Sequence, residues 1–108
     1  MAEFTYYAVA FADDLAPGER IFVEIGDLAI VVFNVGGQFY AIGDVCTHDG
    51  GPLGEGEMDN HEVICPRHGA RFDIRDGRAV KLPAAAPTKS YPIRVNNNNV
   101  EVGIPIEG

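Results

Sequence analysis

Turn signals interrupt this chain so often that little space is left for a long helix. Gly26-Asp27, Gly36-Gly37, Asp76-Gly77 and the four asparagines at 96–99 each separate short β-branched or aromatic stretches. Those stretches read as strands at 6–11, 21–25, 28–35, 38–42, 62–64, 71–74, 78–80, 91–95 and 100–104. Residues 13–18 read as a connection, 82–87 as a Pro-bounded loop, and 44–60, rich in glycine and acid, as one long loop. The asparagines tolerate positive φ and predict a solvated hairpin turn. Short strands with turns every several residues predict an all-β sandwich or barrel.

With 108 residues, the chain has the length of a single domain, here 1–108. Hydrophobic residues at 46% predict a folded core. The excess of 16 acidic over 8 basic residues, a net charge of −8, argues against nucleic-acid binding, which needs basic phosphate contacts. The first residues, Met1-Ala2-Glu3-Phe4-Thr5-Tyr6, have no basic n-region and no apolar h-region. The longest clearly apolar run, 28–33, is six residues, against the ~20 of a membrane helix. A soluble cytoplasmic protein without membrane contact is expected. Two cysteines are too few for a disulfide scaffold.

Chemistry concentrates in Cys46-Thr47-His48 and Cys65-Pro66-Arg67-His68. These hold both cysteines and two of the three histidines. Each pair follows a predicted strand and opens a glycine-containing loop, so two loops can bring two thiolates and two imidazoles to one site. Zinc accepts that donor set, but zinc-finger spacing groups Cys with Cys and His with His. Interleaved Cys-x-His and Cys-x-x-His suits two irons. Each loop can give its Cys to one iron and its His to the other, as in a Rieske [2Fe–2S] centre.

At this point the sequence resembles a known family. The segments 46–54 (CTHDGGPLG) and 65–73 (CPRHGARFD), with Gly77, Pro83 and Tyr91-Pro92-Ile93-Arg94-Val95 around them, are similar to Rieske-type ferredoxins of bacterial aromatic-ring-hydroxylating dioxygenase systems. The resemblance runs from about residue 6 to 102. It implies an antiparallel β-sandwich with a smaller cluster-binding subdomain, about 43–83, built on two loops. It implies one [2Fe–2S] cluster, with Cys46 and Cys65 on one iron and His48 and His68 on the other. It further implies a one-electron carrier, monomeric and without turnover of its own, that passes electrons from a ferredoxin reductase to a terminal oxygenase or similar acceptor. Leu53 and Pro83 resemble residues that shield the cluster, with loop packing as their other reading. Gly50, Gly51 and Gly69 let backbone approach the cluster and donate N–H groups to sulfur.

Neutral imidazoles in place of two thiolates make a Rieske cluster easier to reduce than a four-thiolate one. Position within the Rieske range depends on hydrogen bonds to the sulfurs. Respiratory Rieske proteins resemble this chain in both loops but add a disulfide-forming cysteine to each. Here no such bridge can form, and Gly51 and Arg67 stand nearby. Those relatives also carry a Ser and a Tyr hydroxyl where this chain has Ala70 and Phe72. A low potential is expected.

Acids and bases are unevenly placed. Residues 1–65 hold twelve acids and one base, Arg20, while 66–108 hold four acids and seven bases. Asp44, Asp49, Glu55, Glu57, Asp59 and Glu62 surround the first loop; Arg67, Arg71, Arg75 and Arg78 follow the second ligand pair. This is either an acidic docking rim or a solubilising surface whose arginines pair locally with Asp73 and Asp76. His61 reads as a surface turn residue. With two histidines assigned, only His61 remains, too few for the two-His, one-carboxylate iron site of an oxygenase. No Gly-x-Gly-x-x-Gly fingerprint offers a nicotinamide site. Alternative readings are the small Rieske subunit of an assimilatory nitrite reductase, an iron–sulfur-assembly or redox accessory protein, and a zinc-stabilised binding module.

Overall fold

A computed structural model of the chain describes residues 3–45, 52–67, 69–81 and 86–106. Among them the architecture is all-β, as expected, in three antiparallel sheets. The first joins β1 (Phe4–Phe11), β11 (Asn99–Pro105) and β10 (Ile93–Asn96) in the order β1-β11-β10. The second joins β2 (Arg20–Ile25), β3 (Leu28–Val35), β4 (Gln38–Gly43) and β9 (Ser90–Tyr91). The third, smaller sheet joins β5 (Met58–Asp59), β6 (Glu62–Ile64), β7 (Arg71–Asp73) and β8 (Ala79–Lys81).

The apolar run of β3 explains how these sheets stack. Its side chains alternate across the sheet. Ile30 and Val32 enter one core with Leu15, Ala41, Tyr91, Val100 and Val102, which binds the second sheet to the first. Val31 and Phe33 enter another with Ile42, Leu53, Val63, Cys65, Ala70, Phe72 and Ile74, which binds it to the third. A strand buried on both faces loses the apolar–polar alternation of a half-exposed strand, which is why β3 reads as a continuous run. The second sheet is thus the central layer of three.

Turn chemistry fixes the registers. Asn97 and Asn98 have φ of 52° and 65°, joining Asn96 to its partner Asn99 through a two-residue primed turn. Gly26 has φ of 59° between β2 and β3, and Asp27 is not in the positive-φ region. The sequence reading needs four corrections. The strand predicted at 91–95 divides at Pro92, with Ser90–Tyr91 joining the second sheet and Ile93–Asn96 the first. Residues 44–60 are not all loop, because Met58–Asp59 pairs with β6. The third-sheet strand predicted from 78 starts at Ala79. The connection after β1 contains a 3-10 turn at Ala12–Asp14.

Candidate metal centre

Of the four predicted ligands, Cys65 lies among the described residues; Cys46, His48 and His68 lie outside them, as do Gly50, Gly51 and Pro83. Cys65 follows the last residue of β6. Pro66 then removes the N–H that a continuing strand would need. The Cys65 N–H donates to the Ala70 carbonyl at 2.7 Å, and the Cys65 carbonyl accepts from the Gly69 N–H at 3.0 Å. Gly69 takes φ of 75°, a conformation that favours glycine. Cys65 therefore closes a loop upon its own peptide groups, and the sequence places His68 between those fixed ends.

Cys65 is 1% exposed and has no disulfide partner among the described residues. It packs with Leu53, Val63, Ala70 and Phe72 and borders a cleft of about 400 Å³ shared with Ile64, Pro66, Gly69, Glu55, Gly56 and Glu57. A soft donor beside an open cleft, at the root of a closed loop, fits a thiolate ligand of iron or zinc. No group of three or more metal-ligating side chains is found among the described residues. Ala70 and Phe72 are fully buried beside Cys65, so no hydroxyl is supplied at either position. Leu53 is fully buried in the same core.

The entrance and exit of the first loop are held by residues that carry no ligand chemistry. Thr88 Oγ1 donates to the carbonyls of Gly43 at 3.4 Å and Val45 at 3.2 Å. Asp44 Oδ1 accepts the N–H groups of Leu53 at 2.9 Å and Gly54 at 2.6 Å. Arg20 Nη1 donates to the carbonyls of Gly54 at 2.5 Å and Gly56 at 2.6 Å. These roles were not visible as motifs. The available signals were an acid two residues before Cys46 and a lone base in an acidic stretch.

Local pairing accounts for three of the arginines. Arg71 bridges Asp59 at 2.8 Å and Glu62 at 3.3 Å, joining β7 to the β5–β6 hairpin. Arg75 contacts Asp73 with two nitrogens, Nε to Oδ1 at 3.0 Å and Nη2 to Oδ2 at 2.7 Å. Arg78 reaches the same Oδ2 at 3.4 Å and its backbone N–H donates to Asp76 at 2.9 Å. His61 sits in the β5–β6 turn, edge-on to Tyr40 with ring centroids 5.6 Å apart.

Arg75 holds the Asp73 carboxyl below the usual carboxylate range, against burial, which pushes it up. A folded value below the unfolded value of ~3.9 means the folded state favours the ionised form. That stabilisation is complete above about pH 5 and is lost as pH falls through the folded value. Thermal melts between pH 7 and 3 are expected to show this loss, and Asp73→Asn is expected to flatten the acid limb while lowering stability at pH 7.

The Rieske [2Fe-2S] domain family matches residues 5–92. The chain is 38% identical over 96 residues to the ferredoxin component of biphenyl 2,3-dioxygenase from Rhodococcus jostii (strain RHA1), covering 89% of this chain and 90% of that one. The solved ferredoxin of carbazole 1,9a-dioxygenase from Nocardioides aromaticivorans IC177 superposes with a TM-score of 0.85 at 31% identity, over 91% of this chain and 96% of that one. A chain from the complex of reduced oxygenase and oxidised ferredoxin in carbazole 1,9a-dioxygenase gives a TM-score of 0.84 at 34% identity, over 90% and 91%. By the extent of the match and the fold, the chain belongs to the Rieske [2Fe-2S] domain family, which carries one cluster with Cys and His ligands.

Proposed function

We propose that the chain is a one-electron carrier that takes electrons from a reductase and delivers them to a terminal oxygenase of a ring-hydroxylating dioxygenase system. The carrying observation is its likeness, nearly end to end, to the ferredoxin component of such a system. The solved complex of an oxygenase with a ferredoxin supports an oxygenase as the acceptor. In this reading Cys46 and Cys65 hold one iron and His48 and His68 the other, and residues 43–83 are the cluster-binding part of one domain spanning 1–108. The cluster supplies reversible one-electron storage. The chain binds and orients it: the loop closed by Cys65 fixes one ligand pair, and buried Leu53, Ala70 and Phe72 keep water from the thiolate side. The carrier turns over no substrate, works as a monomer, and shares the cytoplasm with its partners. Without hydroxyls at Ala70 and Phe72, its potential lies at the low end of the Rieske range.

Rapid mixing of the reduced chain with an oxidised terminal oxygenase tests the function. One electron per chain is expected to pass, returning the oxidised visible spectrum, and the rate is expected to fall as salt rises if the acids at Glu55 and Glu57 steer docking. A reduced chain that cannot pass its electron to any such oxygenase contradicts the reading. A salt-independent rate removes the steering alone and leaves the local ion pairs as the role of the charges.

A further inference from the structure

The chain leaves the central sheet after Gly43, and beyond the segment that includes Cys46 and His48 the next described residue is Pro52. The return is gripped at Gly54 from two sides. Asp44 Oδ1 accepts the Gly54 N–H at 2.6 Å, with the Leu53 N–H alongside at 2.9 Å. Arg20 Nη1 donates to the Gly54 carbonyl at 2.5 Å and reaches on to the Gly56 carbonyl at 2.6 Å. Both peptide groups of one residue are thus held by ions of opposite sign. Such charge-assisted bonds are shorter and stronger than neutral ones.

Both ions are anchored to the central sheet. Asp44 is fixed there by its own N–H, which donates to the Ala29 carbonyl at 2.9 Å. Arg20 pairs with Phe33 in the β2–β3 register, and its guanidinium carbon lies 5.1 Å from the centroid of the Phe33 ring. Gly54 lies so close to this sheet that a Cβ would come within 2.8 Å of Phe22 and 2.9 Å of Val31. The next turn is as tight: a Cβ at Gly56 would lie 1.8 Å from the carbonyl oxygen of Ile64, the residue before Cys65. The Arg20 contact to Gly56 therefore also braces the approach to the second ligand pair.

We propose that Asp44 and Arg20 are positioning residues that clamp Gly54, fixing the span of the loop bearing Cys46 and His48 and hence the geometry at which those ligands meet the cluster. The proposal rests on the reading of Cys46 and His48 as ligands. It differs from a purely electrostatic role for Asp44, because the clamp needs an acceptor oxygen at residue 44, whose bonds the charge strengthens.

Three variants of the cluster-loaded protein separate these roles: Asp44→Asn keeps one acceptor oxygen without the charge, Asp44→Ala keeps neither, and Arg20→Met keeps the stem without the donors. The readouts are the rate of bleaching in the presence of an iron chelator and the EPR line widths of the reduced protein. Asp44→Ala and Arg20→Met are expected to bleach about tenfold faster or more, the effect of losing a hydrogen bond to a charged group, and to show broadened lines. Asp44→Asn is expected to bleach at a rate between those of the parent protein and Asp44→Ala, because its neutral bonds are weaker than charge-assisted ones, with its line widths preserved. If Asp44→Ala does not fold, Arg20→Met and Asp44→Asn carry the test. An Asp44→Ala or an Arg20→Met with the parent bleaching rate and line widths overturns the clamp, as does an Asp44→Asn that behaves like Asp44→Ala. If the parent protein gives no mixed His/Cys signal, the ligand reading fails and the clamp falls with it.

Discussion

Cys65→Ala is expected to strip the chain of iron and visible colour while leaving most of its β-structure in place. The thiolate is a cluster ligand in the proposed set, and no other described side chain in the Cys65 core offers a thiolate. A methyl group cannot replace a covalent iron–sulfur bond, so iron is expected to fall from about two atoms per chain to near zero. The fold divides at the central sheet. The core between that sheet and the β1-β11-β10 sheet contains no cysteine among the described residues and is expected to keep its far-ultraviolet signature. The core facing the cluster includes Cys65 itself and is expected to loosen, because metal binding free energy is also folding free energy. Iron analysis and circular dichroism on one preparation check both halves. A variant that keeps full iron and colour removes Cys65 from the ligand set.

The second large effect concerns the reduction potential. Ala70→Ser with Phe72→Tyr is expected to raise it by on the order of 100 mV, given ~1.5–3 kcal/mol for a hydrogen bond to a charged group and ~59 mV per 1.4 kcal/mol in a one-electron couple. The sign follows from charge: a donor to sulfur favours the reduced, more negative cluster. Position supports the choice. Ala70 accepts the Cys65 N–H through its carbonyl at 2.7 Å, and Phe72 pairs with Val63 across β6–β7, two residues from Cys65. Both are fully buried in the core that holds Cys65. A tyrosine hydroxyl placed there without a partner costs ~1–3 kcal/mol of stability, so the melting temperature reports whether the donor has found its acceptor. Voltammetry reads the potential. An intact cluster with an unchanged potential refutes the hydroxyl account.

What the sequence revealed was what short-range chemistry determines. The asparagines at 96–99 specified their own turn because Asn97 and Asn98 accept positive φ. The Cys/His pairs were legible because ligands from one loop have a short, recognisable spacing. The Met58–Asp59 strand was hidden, being two residues long inside a glycine-rich acidic stretch and specified mainly by its pairing with β6. The roles of Asp44 and Arg20 were hidden for a different reason. Their partners lie 9 to 36 residues away, and a backbone carbonyl leaves no mark in a sequence. The arginines after Cys65 show a partial case: their nearness to Asp73 and Asp76 was visible, whereas the Arg71 bridge to Asp59 and Glu62 needed the β5–β6–β7 registers.

The central claim is that two cysteines and two histidines of this chain hold one [2Fe–2S] cluster. EPR spectroscopy of the dithionite-reduced protein tests it most directly, because imidazole ligation of one iron changes the spectrum of the reduced pair. The expected result is a rhombic signal whose mean g lies below that of plant-type ferredoxins, lost in His48→Ala and in His68→Ala. A four-thiolate signal, or a colourless zinc-containing protein with no signal at all, would contradict it.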